Sequence, residues 1–224
     1  MVGGRSLAKT LYFEWCCWLA PVPGAIGLLL RKIFWSRLFG SCGAGTVFGA
    51  NIVVRHPHRI HLGKNVVLGE GVVLDGRHDT EERVLLIDDD VMLANYVTLS
   101  CKSGTLHIGS NTGIGTHTVI QSTNDCPVNI GQDVIIGPHS YIVAGGSYHT
   151  DRGDVSIRDQ GIKPDTGCIV EDNVWLGGGV TVIGGVTMAS GSVAAAGAVV
   201  TRSVGSNVIC GGVPARVLKD RVER

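Results

Sequence analysis

Aromatic residues are scarce in this chain, and neither sign of charge prevails. Of 224 residues, 5% are Phe, Trp or Tyr and 17% are charged, with 19 basic against 19 acidic side chains. A net charge of zero supplies no basic stripe, so nothing argues for a nucleic-acid partner. The seven cysteines (16, 17, 42, 101, 126, 168, 210) are odd in number and lack zinc-type pairing. They read as reduced, packed thiols of a cytoplasmic protein, with no metal site implied. No apolar run reaches the ~20 residues that span a bilayer. The uncharged stretch from Trp15 to Leu30 is shorter than that and is broken by Pro21, Pro23, Gly24 and Gly27. Glu14 interrupts the apolar part and no clean cleavage site follows, which disfavours a signal peptide.

Glycine, in contrast, is abundant: 33 residues, about twice the usual share. Much of it falls in a six-residue repeat. An aliphatic residue returns at Val170, Leu176, Val182, Met188, Ala194 and Val200, and a small or β-branched residue stands four places after each. Within Val66-Val67-Leu68 the first and third side chains share a face, because strands alternate sides. Gly69-Glu70-Gly71 then suits a tight corner before Val72-Val73-Leu74 repeats the strand. Each unit is too short to bury anything alone, and stacking would give one continuous aliphatic column.

Earlier hexads fall into runs of three, starting at Leu62, Ile87, Ile108 and Ile130, with extra residues at 80–86, 105–107, 126–129 and 148–169. Three units per run predict a triangular prism whose insertions leave from one corner. The run from Val170 holds six hexads, or two coils. The expected architecture is an all-β solenoid of about six coils over residues 46–205. Residues 1–45 precede it as a helical, hydrophobic segment, and residues 206–224 follow as a tail with a C-terminal helix.

The N-terminal segment holds Trp15, Trp18 and Trp35, with Arg5, Lys9, Arg31, Lys32 and Arg37 around the uncharged stretch. Two readings stand side by side. Its helices could cap the open prism. Alternatively, residues 1–40 could make peripheral contact with the cytoplasmic membrane face, aromatic and basic groups meeting the headgroups.

The stretch Asp172-Asn173-Val174-Trp175-Leu176-Gly177-Gly178-Gly179, then Ala196-Gly197-Ala198-Val199-Val200-Thr201-Arg202 and Gly212-Val213-Pro214-Ala215-Arg216, resembles the hexapeptide-repeat O-acetyltransferases. Within them it is most similar to the galactoside, maltose and colanic-acid group. The resemblance implies a left-handed parallel β-helix, a homotrimer, and acetyl-CoA sites between subunits. It also implies a catalytic base at His149, in Gly145-Gly146-Ser147-Tyr148-His149-Thr150-Asp151 at the head of the longest insertion. Imidazole suits that task because its proton equilibrium ordinarily lies near neutral pH. Asp151 could hold its tautomer or merely start the loop. Carried across residue by residue, the resemblance assigns CoA contacts to Trp175, Gly178, Ala196, Thr201, Arg202, Arg216 and Lys219. Gly178 is also the candidate backbone oxyanion donor.

Corner arithmetic adds a polar column. His78 and Asp79 end one run, Lys102 and Ser103 the next, Asn124 and Asp125 the third, and His149 follows the fourth. In-register stacking would make His78, Asp79, Lys102, Asn124 and Asp125 one edge, readable as an acceptor-binding wall or as a solvated edge. The remaining histidines, including His117 and His139 at outward corners, read as surface or packing residues.

The function expected is acetyl-CoA-dependent transfer to a sugar hydroxyl, first of all in an envelope polysaccharide or glycolipid precursor. Transfer to an antibiotic or other small molecule and a non-catalytic scaffold are the alternatives. A zinc-dependent anhydrase on the same prism would need three converging histidines, and its usual sequence neighbours are absent. A nucleotidyltransferase would need a large N-terminal domain that about 45 residues cannot supply.

Overall fold

A computed structural model of the chain describes residues 6–222, so Arg5 lies outside the described residues. The strands form three sheets, parallel except for the last strand of the second, which are the faces of a triangular, left-handed β-helix. The first face is seven-stranded, the second nine-stranded and the third seven-stranded. Successive coils stack in register. On the first face Ile87 pairs with Leu62 and Ile108, and on the third Leu99 pairs with Leu74 and Ile120.

The hexad residues from Leu62 to Val200 are all buried in one column, as their period requires. Each large aliphatic there contributes roughly 1.5–3 kcal/mol by leaving water. The second column contains hydroxyls as well as valines. Thr112 donates to the Gly131 carbonyl at 2.9 Å, and Thr118 and Ser140 donate to that of Gly137 at 3.1 and 2.9 Å. Each of these hydroxyls ties one coil's corner to another residue of the wall, whereas Ser192 Oγ, buried in the same column, has no partner among the described residues.

Two features differ from expectation. The described residues make seven coils, because strands Ser41–Cys42, Val47–Phe48 and Val53–Arg55 form one before the run from Leu62. The prism therefore begins at Ser41 rather than residue 46. Cys42, Phe48 and Val54 keep the six-residue spacing, but a cysteine and an aromatic among them hide the aliphatic pattern. At the other end the expected C-terminal helix is absent among the described residues: Val208–Gly211 extends the second sheet in parallel, and Arg216–Asp220 returns antiparallel to it. The turn around Gly212, Val213 and Pro214 reverses the chain, and the strand that follows satisfies the sheet's open edge.

Helices α1 (Leu7–Leu19) and α2 (Gly24–Phe34) pack on the first coil. Trp35 donates from Nε1 to the Cys16 carbonyl at 3.0 Å and lies against Phe48, which stacks on Phe39. Arg31, only 1% exposed, donates from Nε to the Phe48 carbonyl at 3.0 Å and from Nη1 to those of Leu19, Ala20 and Val22. A buried cation without a carboxylate is thus held by the carbonyl-rich end of α1, where the helix dipole favours positive charge. A Cβ at Gly27 would run into the Val22 carbonyl, so glycine is what lets α2 approach the turn between the helices.

Candidate active site

After strand Tyr141–Ala144 on the third face the chain leaves the prism, rejoining the first face at Cys168–Val170. One carboxylate closes the neck of this excursion: Asp165 accepts from Gly145 N–H at 2.7 Å and from Gly167 N–H at 2.8 Å. Further out, Lys163 N–H donates to Ser147 O at 2.7 Å, His149 N–H donates to Gly161 O at 3.1 Å, and Tyr148 bridges Ile162. The tip is held by Gln160, which accepts from Arg152 N–H at 3.1 Å and donates to the carbonyls of Arg152 and Val155 at 2.8 and 3.1 Å. His149 thus stands on a loop clipped at three levels, half-buried and close to its base. Its Nδ1 is 4.0 Å from Asp151 Oδ1, beyond hydrogen-bond reach, so Asp151 does not hold the tautomer.

Polar residues gather along this edge, with Lys102 one place out of the expected alignment with His78 and Asn124. Lys102 pairs in register with both Arg77 and Thr123, and Ser103 donates to Asp79 Oδ2 at 2.9 Å. His78 Nδ1 accepts from Thr80 and Glu81 N–H at 3.2 and 3.0 Å, which puts its proton on Nε2. That atom faces Asp125 Oδ1 at 3.9 Å. Asn124 donates its amide to the Gly145 carbonyl at 2.6 Å, linking the edge to the root of the loop.

Between edge and loop lies a cavity of about 520 Å³, walled by Lys102, Asn124, Tyr141, Tyr148, Ile162 and Gly184 among others. Lys102 and Asn124 therefore line it. His78, Asp79 and Asp125 stand on the edge but outside its wall, and His149 is next in sequence to a wall residue without being one. Gln121, Tyr141 and Tyr148 were missed from sequence. The signal was available for the first two: they alternate with buried Ile120 and Ile142, so they must point outward from the third face.

Of the candidate CoA residues, Trp175, Gly178, Ala196, Arg216 and Lys219 occupy the second face and its borders. Trp175 pairs with Val193, Val193 with Ile209 and Ile209 with Lys219, so Trp175 and Lys219 belong to one column of partners. Gly178 and Ala196 stand at stacked corners, where Gly197 N–H donates to the Gly178 carbonyl at 2.8 Å. A Cβ at Gly197, φ +72°, would meet nothing within 4 Å, so this corner is a bare shelf. Arg216 opens the last strand, while Thr201 and Arg202 lie past the far end of the third-face strand Val199–Val200. The set is thus split between two borders of the third face.

At the corner between second and third faces, Tyr96 stacks on His117 with ring centroids 5.0 Å apart, and His117 on His139 at 5.1 Å. Among the described residues no three His, Cys, Asp or Glu side chains group to hold a metal ion.

Comparison with known proteins finds acetyltransferases and acyltransferases among the chains it is similar to. The chain is 42% identical over 95 residues to a Dictyostelium discoideum protein provisionally named an acetyltransferase, a match covering 42% of this chain and 48% of that protein. It is 32% identical over 120 residues to the Escherichia coli galactoside O-acetyltransferase, covering 53% of this chain and 56% of that one. A longer match, 29% identical, joins 85% of this chain to 86% of Escherichia coli WbbJ, provisionally named a lipopolysaccharide biosynthesis O-acetyl transferase. The chain thus spans about half the length of most of the curated relatives it matches. No family model matches it. Among solved structures, AntD, an N-acyltransferase from Bacillus cereus in complex with dTDP and 3-hydroxybutyryl-CoA, superposes at TM-score 0.53 with 18% identity, covering 87% of each chain. The polySia-specific acetyltransferase NeuO superposes at 0.51 with 23% identity, covering 81% of each. These likenesses establish the shared fold, and the sequence matches establish the resemblance to the O-acetyltransferases.

Proposed function

We propose that this chain, similar in sequence to O-acetyltransferases and folded as a left-handed β-helix, transfers an acetyl group from acetyl-CoA to a sugar hydroxyl. What supports the reading is the convergence of two independent features. His149 is held at the root of a triply clipped loop, and beside it a polar edge and a cavity of about 520 Å³ offer room for an acceptor ring.

In this reaction His149 takes the proton of the acceptor hydroxyl as its oxygen attacks the thioester carbonyl carbon. The C–O bond forms and the C–S bond breaks. Coenzyme A leaves as the thiol after the imidazolium returns the proton. Negative charge on the carbonyl oxygen would be met by the Gly178 N–H, which has no backbone acceptor among the described residues. The bare corner at Gly197 would let the pantetheine arm lie against backbone, with Trp175 as an apolar wall. Arg216 and Lys219, and Arg202 from a neighbouring copy, would answer the phosphates. No cysteine is needed as a nucleophile.

The proposal includes a homotrimer. The outward residues of the second face, Val67, Met92, Ile135 and Trp175, are apolar and exposed in the single chain, as a sheet covered by a neighbour would require. The acceptor is first of all a sugar of a cell-envelope polysaccharide or glycolipid precursor, reached from the cytoplasmic side. Mass spectrometry of a panel of sugars and glycolipids incubated with enzyme and acetyl-CoA tests this. A mass increase of one acetyl group on a sugar hydroxyl is expected. Acetyl-CoA turnover on amines alone, or none on any acceptor, would overturn it.

A further inference from the structure

Helices α1 and α2 are apolar on both sides, and the inner side alone is accounted for. Toward the first coil α1 turns Cys16 and Leu19, and α2 turns Gly27 and Arg31, all buried. Away from it, Leu7, Leu11, Trp15 and Trp18 recur at the helical period and fall within one arc of α1. Ile26, Leu29 and Ile33 do the same on α2. All seven are exposed, Leu7 by 75%, Trp18 by 78% and Ile26 by 71%. Seven large side chains of this exposure present several hundred Å² of apolar surface, the range in which a surface patch calls for a partner.

The charges nearby have one prevailing sign. Between Ser6 and Gly40 the exposed cations are Lys9, Lys32 and Arg37, against a single acid, Glu14. Trp15 and Trp18 each join a wide apolar ring to one N–H donor, a combination suited to the boundary between headgroups and acyl chains. No helix among the described residues is long and apolar enough to cross a membrane. The helices are also anchored crosswise, α2 by the buried Arg31 and α1 through its last carbonyls, so they can lie on a bilayer but not thread it.

We infer that the outer faces of α1 and α2 form a docking surface for the interface of an anionic lipid bilayer. The solenoid then stands on the membrane by its first-coil end. Acyl apolar surface meets Leu7, Leu11, Trp18, Ile26, Leu29 and Ile33, and Lys32 on the flank of α2 meets anionic headgroups. The inference does not depend on acyl transfer, since it is read without a substrate.

Co-sedimentation of the full chain with vesicles tests it, using phosphatidylcholine alone and phosphatidylcholine mixed equally with phosphatidylglycerol. The wild type should pellet with the mixed vesicles and less so at high salt. The double substitution Leu11→Ser with Trp18→Ser should weaken that binding at least tenfold while the β-sheet circular dichroism is unchanged. Lys32→Glu should weaken binding to mixed vesicles only. No binding to either vesicle, or equal binding by the double variant, would overturn the inference. So would a smaller assembly for the double variant in sedimentation velocity without vesicle binding by the wild type, which would make the patch a contact between copies of this chain.

Discussion

Asp165 holds Gly145: its Oδ2 accepts the Gly145 N–H at 2.7 Å across the neck of the loop that carries His149, while Oδ1 takes Gly167 N–H at 2.8 Å. The same carboxylate thus joins the residue where the chain leaves the prism to the residue where it returns. Two charge-assisted bonds at a half-buried site together contribute about 2–4 kcal/mol to closing that neck. Asp165→Ala should accelerate amide exchange at Gly145 and Gly167 and lower transfer activity, with core amides unaffected. Asp165→Asn, which keeps one acceptor, should fall between. Hydrogen exchange read by mass spectrometry with the initial rate on one sample separates these outcomes.

Gln160 acts one level further out, through three bonds to the backbone of Arg152 and Val155. Gln160→Ala should reduce kcat more than KM for acetyl-CoA, by roughly tenfold, because a loosened loop misplaces the base rather than the cofactor. Gln160→Glu retains the acceptor but loses both donated bonds, so it should recover little. Unfolding midpoints equal to wild type would show that the effect is local.

Arg31 ties α2 to the first coil through the Phe48 carbonyl and to the end of α1 through those of Leu19, Ala20 and Val22. Removing the guanidinium leaves those acceptors buried without donors, a loss of about 3 kcal/mol or more. Arg31→Met should therefore release the helices, seen as a red shift of tryptophan emission. Arg31→Lys, a point charge without the fork, should be only partly protective.

Acid should loosen the same end of the molecule. Burial, as the largest cause, lowers the pKa values of His56, His58 and His61 from the ordinary 6.5. The folded state then binds fewer protons than the unfolded chain as pH falls through that ordinary value. Stability is full above it and is lost as pH falls below it. The melting midpoint should drop between about pH 7 and pH 5, and His58→Gln should flatten that slope.

The buried thiols should be inert. Burial pushes Cys101 and Cys168 up to about 12 and Cys16 to about 11. A thiolate-selective reagent at neutral pH should leave these three unmodified in the native protein and modify them after denaturation. Peptide mapping of the alkylated protein reads this directly.

The prism was legible because its signal is repeated: one slot every six residues, filled by Leu, Ile or Val, states both the strand and the corner. The first coil escaped because Cys42 and Phe48 fill those slots with side chains that packing accepts and a pattern of aliphatics does not. The final strand escaped for another reason. Residues 216–220 have no period of their own, and only the open edge left by Val208–Gly211 makes a strand of them. In the site, a polar edge running through His78, Ser103 and Asn124 followed from coil arithmetic, since register transmits position from coil to coil, although Lys102 stacks one place away on Arg77 and Thr123. The cavity wall around Tyr148 and Ile162 did not, because it depends on how a loop of irregular sequence folds back. Asp165, the residue that sets that fold, is one aspartate among many in the sequence, and only its two backbone partners distinguish it.

The role of His149 is the claim on which the functional account turns, and thiol release from acetyl-CoA in the presence of a responsive acceptor tests it most directly. His149→Ala and His149→Gln should each lower the initial rate by about 10²–10⁴-fold, with acetyl-CoA binding and the melting midpoint unchanged. A rate within a factor of about two of wild type in either variant would contradict the account, because no step of the transfer would then need that imidazole.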